Sequence, residues 1–549
     1  MRTRTIGSNE LVALALLTGL AACSGTTTIY KTVPGEAPPD ETTTPAPAAN
    51  TPDPSMTGDP TSKDTPAPPL VKGLAISEVA FFQAVKVPVV ADGAAVGKTK
   101  RNAPVVTGRS ALVRVFVTKG AGYAAGPVTA ELRLVDGTTR LPGLKDTKTI
   151  SADSTDEAAA STFNFEVPAE SLSAGVTYQV LLTSTTGEVP KGAVDSRFPK
   201  DGGVQALENE ASGKLKIVVV PVQYDADGSG RLPDVSATQM DLYKQVFMAR
   251  YPATEIDIKT RAPWSYASAI SANGSGFSAV LNAVTNLRKA DGAAPDVYYY
   301  GAFAPKTSFN SFCGGGCVTG LSTVVDSPNT AFLRASVGVG FPGDDAANTA
   351  AHEVGHAHGR EHAPCGGAQG TDPDFPYTGG SIGVWGYNIL EKTLLSPTKG
   401  KDMMGYCPNE WVSDYTFKAL FDRIAAVNGG KASTGGAAQA PGAGGAPGAG
   451  APQTYRMATL EADGTVAWGG DVELIEAPTS SHSRLATFIS ASGQTLGTHT
   501  AHFFPYDHLP GGVLVVPSAP QSATAPSSIQ AQKAWSQVRI SGAANALAR

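Results

Sequence analysis

Charge is scarce in this chain. Asp, Glu, Lys and Arg make up 16% of its 549 residues, and the formal net charge is -6. No extended basic patch occurs, which argues against nucleic acid as a partner. No stretch after the first 23 residues is long and apolar enough for a transmembrane helix. A Walker loop is missing, and no G-x-S-x-G elbow is convincing, so nucleotide and serine-hydrolase chemistry find no footing. Cysteine is rare, at five residues.

Hydrophobic residues reach 42%, enough for real cores, and the length suits about three domains. Gly (61) and Pro (40) are abundant, the composition of β-rich modules joined by spacers.

Residues 1–23 read as a targeting segment. Arg2 and Arg4 precede an apolar core from Leu11 to Ala22, and Leu20-Ala21-Ala22-Cys23 resembles the bacterial lipoprotein cleavage box. Cys23 is then the expected lipidation site. Ser24 follows it, which by resemblance to Gram-negative lipoproteins implies an outer-membrane or cell-surface location. Residues 24–70 are rich in Thr, Pro and Ala and read as a disordered tether.

Residues 71–205 alternate apolar and polar positions in short runs such as Ala111 to Val117 and Glu131 to Val135. This is the pattern of a β-sandwich, immunoglobulin-like in kind. From about 212 to 430 the pattern changes to strand, helix, strand, helix, strand, an α/β (α+β) arrangement with a mixed twisted sheet. Lys214 to Tyr224, Thr254 to Thr260 and Asp296 to Phe303 are the strands, and Val235 to Arg250 and a run from Phe277 to Leu287 are the helices. Residues 431–452 are a Gly/Ala/Pro linker, and residues 453–549 return to short strands as a small C-terminal β-domain.

One stretch carries chemistry. Residues 352 to 362 read His-Glu-Val-Gly-His-Ala-His-Gly-Arg-Glu-His, or H-E-x-x-H-x-x-G-x-x-H. On a helix, His352 and His356 lie on one face and can bind one zinc ion. Glu353 can reach a water at that ion. Gly359 lets the chain leave the helix, and the turn brings His362 back as a third ligand. Three protein ligands leave a fourth position open, the mark of a catalytic site. The expected chemistry is metal-assisted hydrolysis, with Glu353 as general base and then acid. His358 points off the metal face and reads as a non-ligand, and Glu361 reads as solvated.

This motif resembles the signature of the metzincin metallopeptidases. Asp402-Met403-Met404-Gly405-Tyr406 resembles that family's methionine turn. The resemblance implies Met404 as the turn residue, with Met403 the alternative. Tyr406 is implied as a further ligand or a donor to the oxyanion. A strand near Val337 to Phe341 is implied as the edge that pairs with substrate. Cys-Gly-Gly-Gly-Cys, His-Ala-Pro-Cys-Gly, Gly379 to Tyr387 and Asp-Met-Met-Gly-Tyr-Cys together look like the bacterial exported StcE-type lipoprotein mucinases. Protein or O-glycosylated glycoprotein substrates follow from that likeness, for a monomer held to a membrane by its lipid.

With Cys23 lipidated, Cys313, Cys317, Cys365 and Cys407 remain, an even number in an exported chain. The expected pairs are Cys365 with Cys407 and Cys313 with Cys317. A zinc-ribbon reading of the latter lacks a second close cysteine pair. Asp225 to Gly230 imitates the start of a calcium loop, but Ser236 stands where a bidentate acid belongs, so a Gly-rich turn is the simpler account and calcium the weaker. Two rival functions stand beside the peptidase. One is a glycan- or protein-binding surface lipoprotein with a vestigial zinc site, for which Glu353 has no use. The other is a hydrolase of cell-wall peptides.

Overall fold

The computed structural model describes residues 69–185, 187, 194–429, 452–474, 477–518 and 535–549. The targeting segment with Cys23, nearly all of the tether and nearly all of the Gly/Ala/Pro linker lie outside the described residues. The chain is mostly β, with several sheets and a few helices in more than one unit.

The first unit is two antiparallel sheets. In one, Leu74–Phe82 is flanked by Lys86–Ala91 and Ala111–Lys119, with Phe163–Val167 beyond. In the other, Pro127–Asp136 lies between Thr177–Thr183 and Leu144–Thr149. Side chains alternate across a strand. Val128, Ala130, Leu132 and Leu134 therefore turn inward together, and Phe81 meets Tyr178 edge to face at 6.3 Å. Leu70, which the sequence assigns to the tether, is instead buried and bridges Thr183.

The central unit is a mixed sheet. Glu255–Thr260, Lys214–Tyr224, Val297–Phe303 and Ala335–Val339 run parallel, in that order, and Gly320–Ser322 closes one edge antiparallel. Its faces are read off the alternation. Ile217, Val219, Tyr298 and Tyr300 join the core shared with helices Ala237–Arg250, Asp344–Ala357 and Asp414–Asn428. Val220, Val222, Tyr299 and Phe303 face the opposite way, toward helix Phe277–Ala290. One expectation is corrected here. The strand at Val337 is interior, and the edge is the three-residue strand Gly320–Ser322. Gly-Leu-Ser is too short for periodicity to reveal.

The last unit is one seven-stranded antiparallel sheet. Its strand Gly512–Pro517 also alternates. Val513 and Val515 pack with helix Phe277–Ala290, while Leu514 and Val516 serve a separate core with Phe488 and Trp535. Polar contacts pin the same contact: Ser278 donates to Glu461 at 2.9 Å and Asn282 to Thr459 at 2.5 Å.

The first unit is also tied to the central one. Arg109 is fully buried and donates to the carbonyls of Met248 and Ala253 at 2.5 and 3.2 Å. Trp411 donates to the Ala84 carbonyl at 2.8 Å.

Candidate metal centre

The helix Asp344–Ala357 carries the first two histidines. Asp344 and Asp345 sit in its first turn, where negative charge suits the positive end of the helix dipole. Ala346, Ala347, Ala350 and Ala351 are fully buried, so the helix lies close on its neighbours. Gly355 allows a second close approach: a β-carbon there would stand 2.6 Å from Met404 Sδ. At Gly359 the backbone takes φ +83°, and a β-carbon would press on the Val325 carbonyl at 2.6 Å. Only glycine fits that exit, and it turns the chain toward His362.

Each of the three histidines has its ring fixed by a backbone carbonyl. His352 Nδ1 donates to Met403 O at 2.6 Å, His356 Nδ1 to Arg360 O at 2.5 Å, and His362 Nδ1 to Gln369 O at 2.5 Å. Such bonds set the tautomer and leave Nε2 as the lone pair. Burial, reinforced by repulsion between the rings, holds His352 and His356 well below the usual histidine range. Burial and the neighbouring His508 push His362 down to about 3. All three are therefore neutral near pH 7. The Nε2 atoms of His352 and His356 nevertheless stand 3.0 Å apart. Two lone pairs facing at that distance gain nothing from each other and much from a cation between them.

Glu353 is fully buried and burial pushes it up to about 8. Its carboxyl shares a hydrogen bond with that of Asp507, whose side chain is also buried. Asp507 Oδ2 lies 3.2 Å from His356 Nε2. Because His356 is neutral, this is no salt bridge. Burial, with the neighbouring Glu353, holds the Asp507 carboxyl well above the usual carboxylate range, so it can donate to that nitrogen. The donor set is nitrogen with carboxylate oxygen, which suits zinc.

The turn below the site is built from Asp402. Its Oδ1 accepts from Met404 N and its Oδ2 from Ser413 N, both at 2.9 Å. Met403 and Met404 are both buried, but their roles differ. Met404 packs its sulfur on Gly355, and Met403 offers its carbonyl to His352. Tyr406 brings its hydroxyl 3.0 Å from His362 Nε2. Cys365 and Cys407 are bonded, with Cα atoms 5.6 Å apart, and Cys313 is bonded to Cys317 at 4.9 Å.

The other singled-out residues lie elsewhere. His358 is buried and stacked on Tyr298, with centroids 4.2 Å apart, and donates to Val354 O. Glu361 lines a separate polar groove with Asp326, Asp372 and His482. The carboxylates of Asp225 and Asp227 are spent on their own turn, accepting from Gly230 and Ser229 backbone and from Arg231.

Two residues at the centre were not foreseen. Asp507 and His508 come from the loop between strands Thr495–Pro505 and Gly512–Pro517 of the last sheet. His508 joins His352, His356 and His362 in a group whose ligand atoms all lie within 4.8 Å of one another. Their only signal in sequence is that one of just eight histidines sits, beside an Asp, between two strand runs.

Residues 246–434 match the model of the family described as Peptidase M66. The matched stretch encloses the three histidines, Glu353, the Asp402 turn and both disulfides, and stops short of Asp507 and His508. The match makes this part of the chain peptidase-like, and the histidine cluster inside it is one that can hold a metal ion. No curated protein matches the chain. Among solved structures, metalloproteinase-II from Bacteroides fragilis is similar at 12% identity, over 59% of this chain and 85% of that one, with a TM-score of 0.23. A chaperone–substrate complex is similar at 13% identity over 48% of this chain, with a TM-score of 0.21, and this chain spans only 38% of it.

Proposed function

We propose that the chain is a zinc-dependent endopeptidase of the metzincin kind. In this reading it is exported, held at the outer membrane or cell surface by lipid on Cys23, and cleaves extracellular proteins, O-glycosylated ones included. The observation that supports it most is the convergence of the ligand atoms of three histidines, with the buried Glu353 carboxyl beside them.

His352, His356 and His362 would hold the ion. When bound, zinc supplies a Lewis acid that polarises a carbonyl and acidifies water. Glu353 takes a proton from the attacking water and returns it to the leaving nitrogen. The Tyr406 hydroxyl, beside His362, donates to the oxygen on which charge develops. Gly320–Ser322 offers a sheet edge along which an extended peptide can lie. In this account Met404 is the turn residue. The two-sheet unit, immunoglobulin-like in this reading, and the C-terminal sheet flank a catalytic unit of one chain.

The test is zinc-loaded full-length protein on casein, a mucin and peptidoglycan. Cleavage of casein or mucin is expected. Release of peptides from peptidoglycan alone would make it a cell-wall hydrolase. Retention on mucin glycans with no turnover on any of the three, even after the Asp507–His508 loop is altered, would make it a binder.

A further inference from the structure

The candidate site does not stand open. The segment 505–508 of the last sheet runs into it and meets every group the reaction uses.

Its backbone takes the sheet edge. Tyr506 bridges Thr323 antiparallel, Val324 N donates to Pro505 O at 3.1 Å, and Asp507 N donates to Ser322 O at 3.3 Å. These atoms continue the strand Gly320–Ser322, the edge an extended peptide would use. Asp507 Oδ1 fixes the register by accepting from Ser322 N at 3.1 Å.

Its side chains take the chemistry. His508 Nε2 and Glu353 Oε1 are hydrogen-bonded at 2.9 Å, so the base is already bonded. With the proton on Nε2, toward Glu353, the ring would present Nδ1 as its lone pair. Nδ1 is in close contact with the Tyr406 hydroxyl, which also lies 3.0 Å from His362 Nε2. The ring centroid of His508 is 5.1 Å from that of His352 and 4.9 Å from that of His362. That makes four imidazoles around one point, and zinc takes four ligands.

The delivery is not a loose tip. Phe504, Tyr506 and Val513, which bracket the loop, belong to the apolar core shared with helix Phe277–Ala290. The Asp507 side chain is completely buried, and that of His508 is 11% exposed.

We propose that His508 is the fourth ligand of a closed, water-free form of the metal site. The 505–508 segment is then a built-in plug that must leave before water and a peptide can enter. This rests on the zinc reading of His352, His356 and His362. It extends the site to a second unit of the chain, outside the part that resembles a peptidase.

Zinc-edge X-ray absorption on the full-length protein needs no variant, since multiple scattering counts imidazoles. Four are expected, and three plus water would overturn the proposal. Cobalt-loaded protein gives a second readout. Acetohydroxamate should leave the visible spectrum of the wild type unmoved at concentrations that shift the spectrum of His508→Ala. The same variant should cleave casein at least about tenfold faster, since freeing a site populated one part in ten recovers that factor. Equal response of the two cobalt spectra, or loss of cleavage in His508→Ala, would overturn it. If His356→Ala binds zinc as well as wild type does, the metal reading itself fails. If zinc binding needs His356 but only three imidazoles are counted, the plug alone fails.

Discussion

The carbonyl oxygen of Met403 accepts a hydrogen bond from Nδ1 of His352 at 2.6 Å. Through that bond a turn far along the chain decides which nitrogen of a helical histidine faces the site. The same turn sets Tyr406 beside His362. It is held in shape by Asp402, whose two oxygens accept from Met404 and Ser413.

Asp402→Ala should therefore weaken zinc binding without touching a ligand. Loss of a group that orients a metal ligand typically costs about 10–100-fold in affinity. A competition titration with a chromophoric chelator measures it, and unchanged affinity would deny the turn its role.

Gly320 lies against the base. A β-carbon there would come within 2.3 Å of Glu353 Oε1. Gly320→Ala should keep the zinc and lower kcat by about 100-fold, the cost of misplacing a catalytic group by about 1 Å. Metal content and turnover measured on one sample decide it, and normal turnover would mean that Glu353 has room to spare.

The bond between Cys365 and Cys407 closes a loop that runs from just past His362 to just past Tyr406. Replacing both with serine should cost about 2–4 kcal/mol of stability, the usual worth of such a crosslink. Urea unfolding under oxidising conditions measures it. A midpoint equal to that of the wild type would show that the bond adds nothing.

Removing the ion should destabilise the fold. A ligand present at 1,000 times its Kd contributes about 4.1 kcal/mol. Chelation should lower Tm, and added zinc should restore it. A Tm indifferent to chelator would contradict a resident metal.

The spacing of His352, His356, Gly359 and His362 made the site legible, because each position is fixed by helix geometry and one left-handed residue. The parallel strands were legible as well, since Lys214–Tyr224 and Val297–Phe303 are buried on both faces and read as apolar runs. What stayed hidden came from tertiary placement. The edge strand Gly320–Ser322 has no period to detect. His508 reaches His352 only because the last sheet packs its Val513 and Val515 face on the helix Phe277–Ala290. No local pattern in Pro505-Tyr506-Asp507-His508 records that contact. Met403 acts through its backbone, which its side chain does not announce.

The most direct measurement pairs zinc content with peptide-bond cleavage for wild-type protein and Glu353→Gln. The account predicts one zinc per chain in both and a loss of about 10²–10⁴-fold in turnover for the variant, the range of general acid–base catalysis. Cleavage at the wild-type rate by zinc-loaded Glu353→Gln would contradict it.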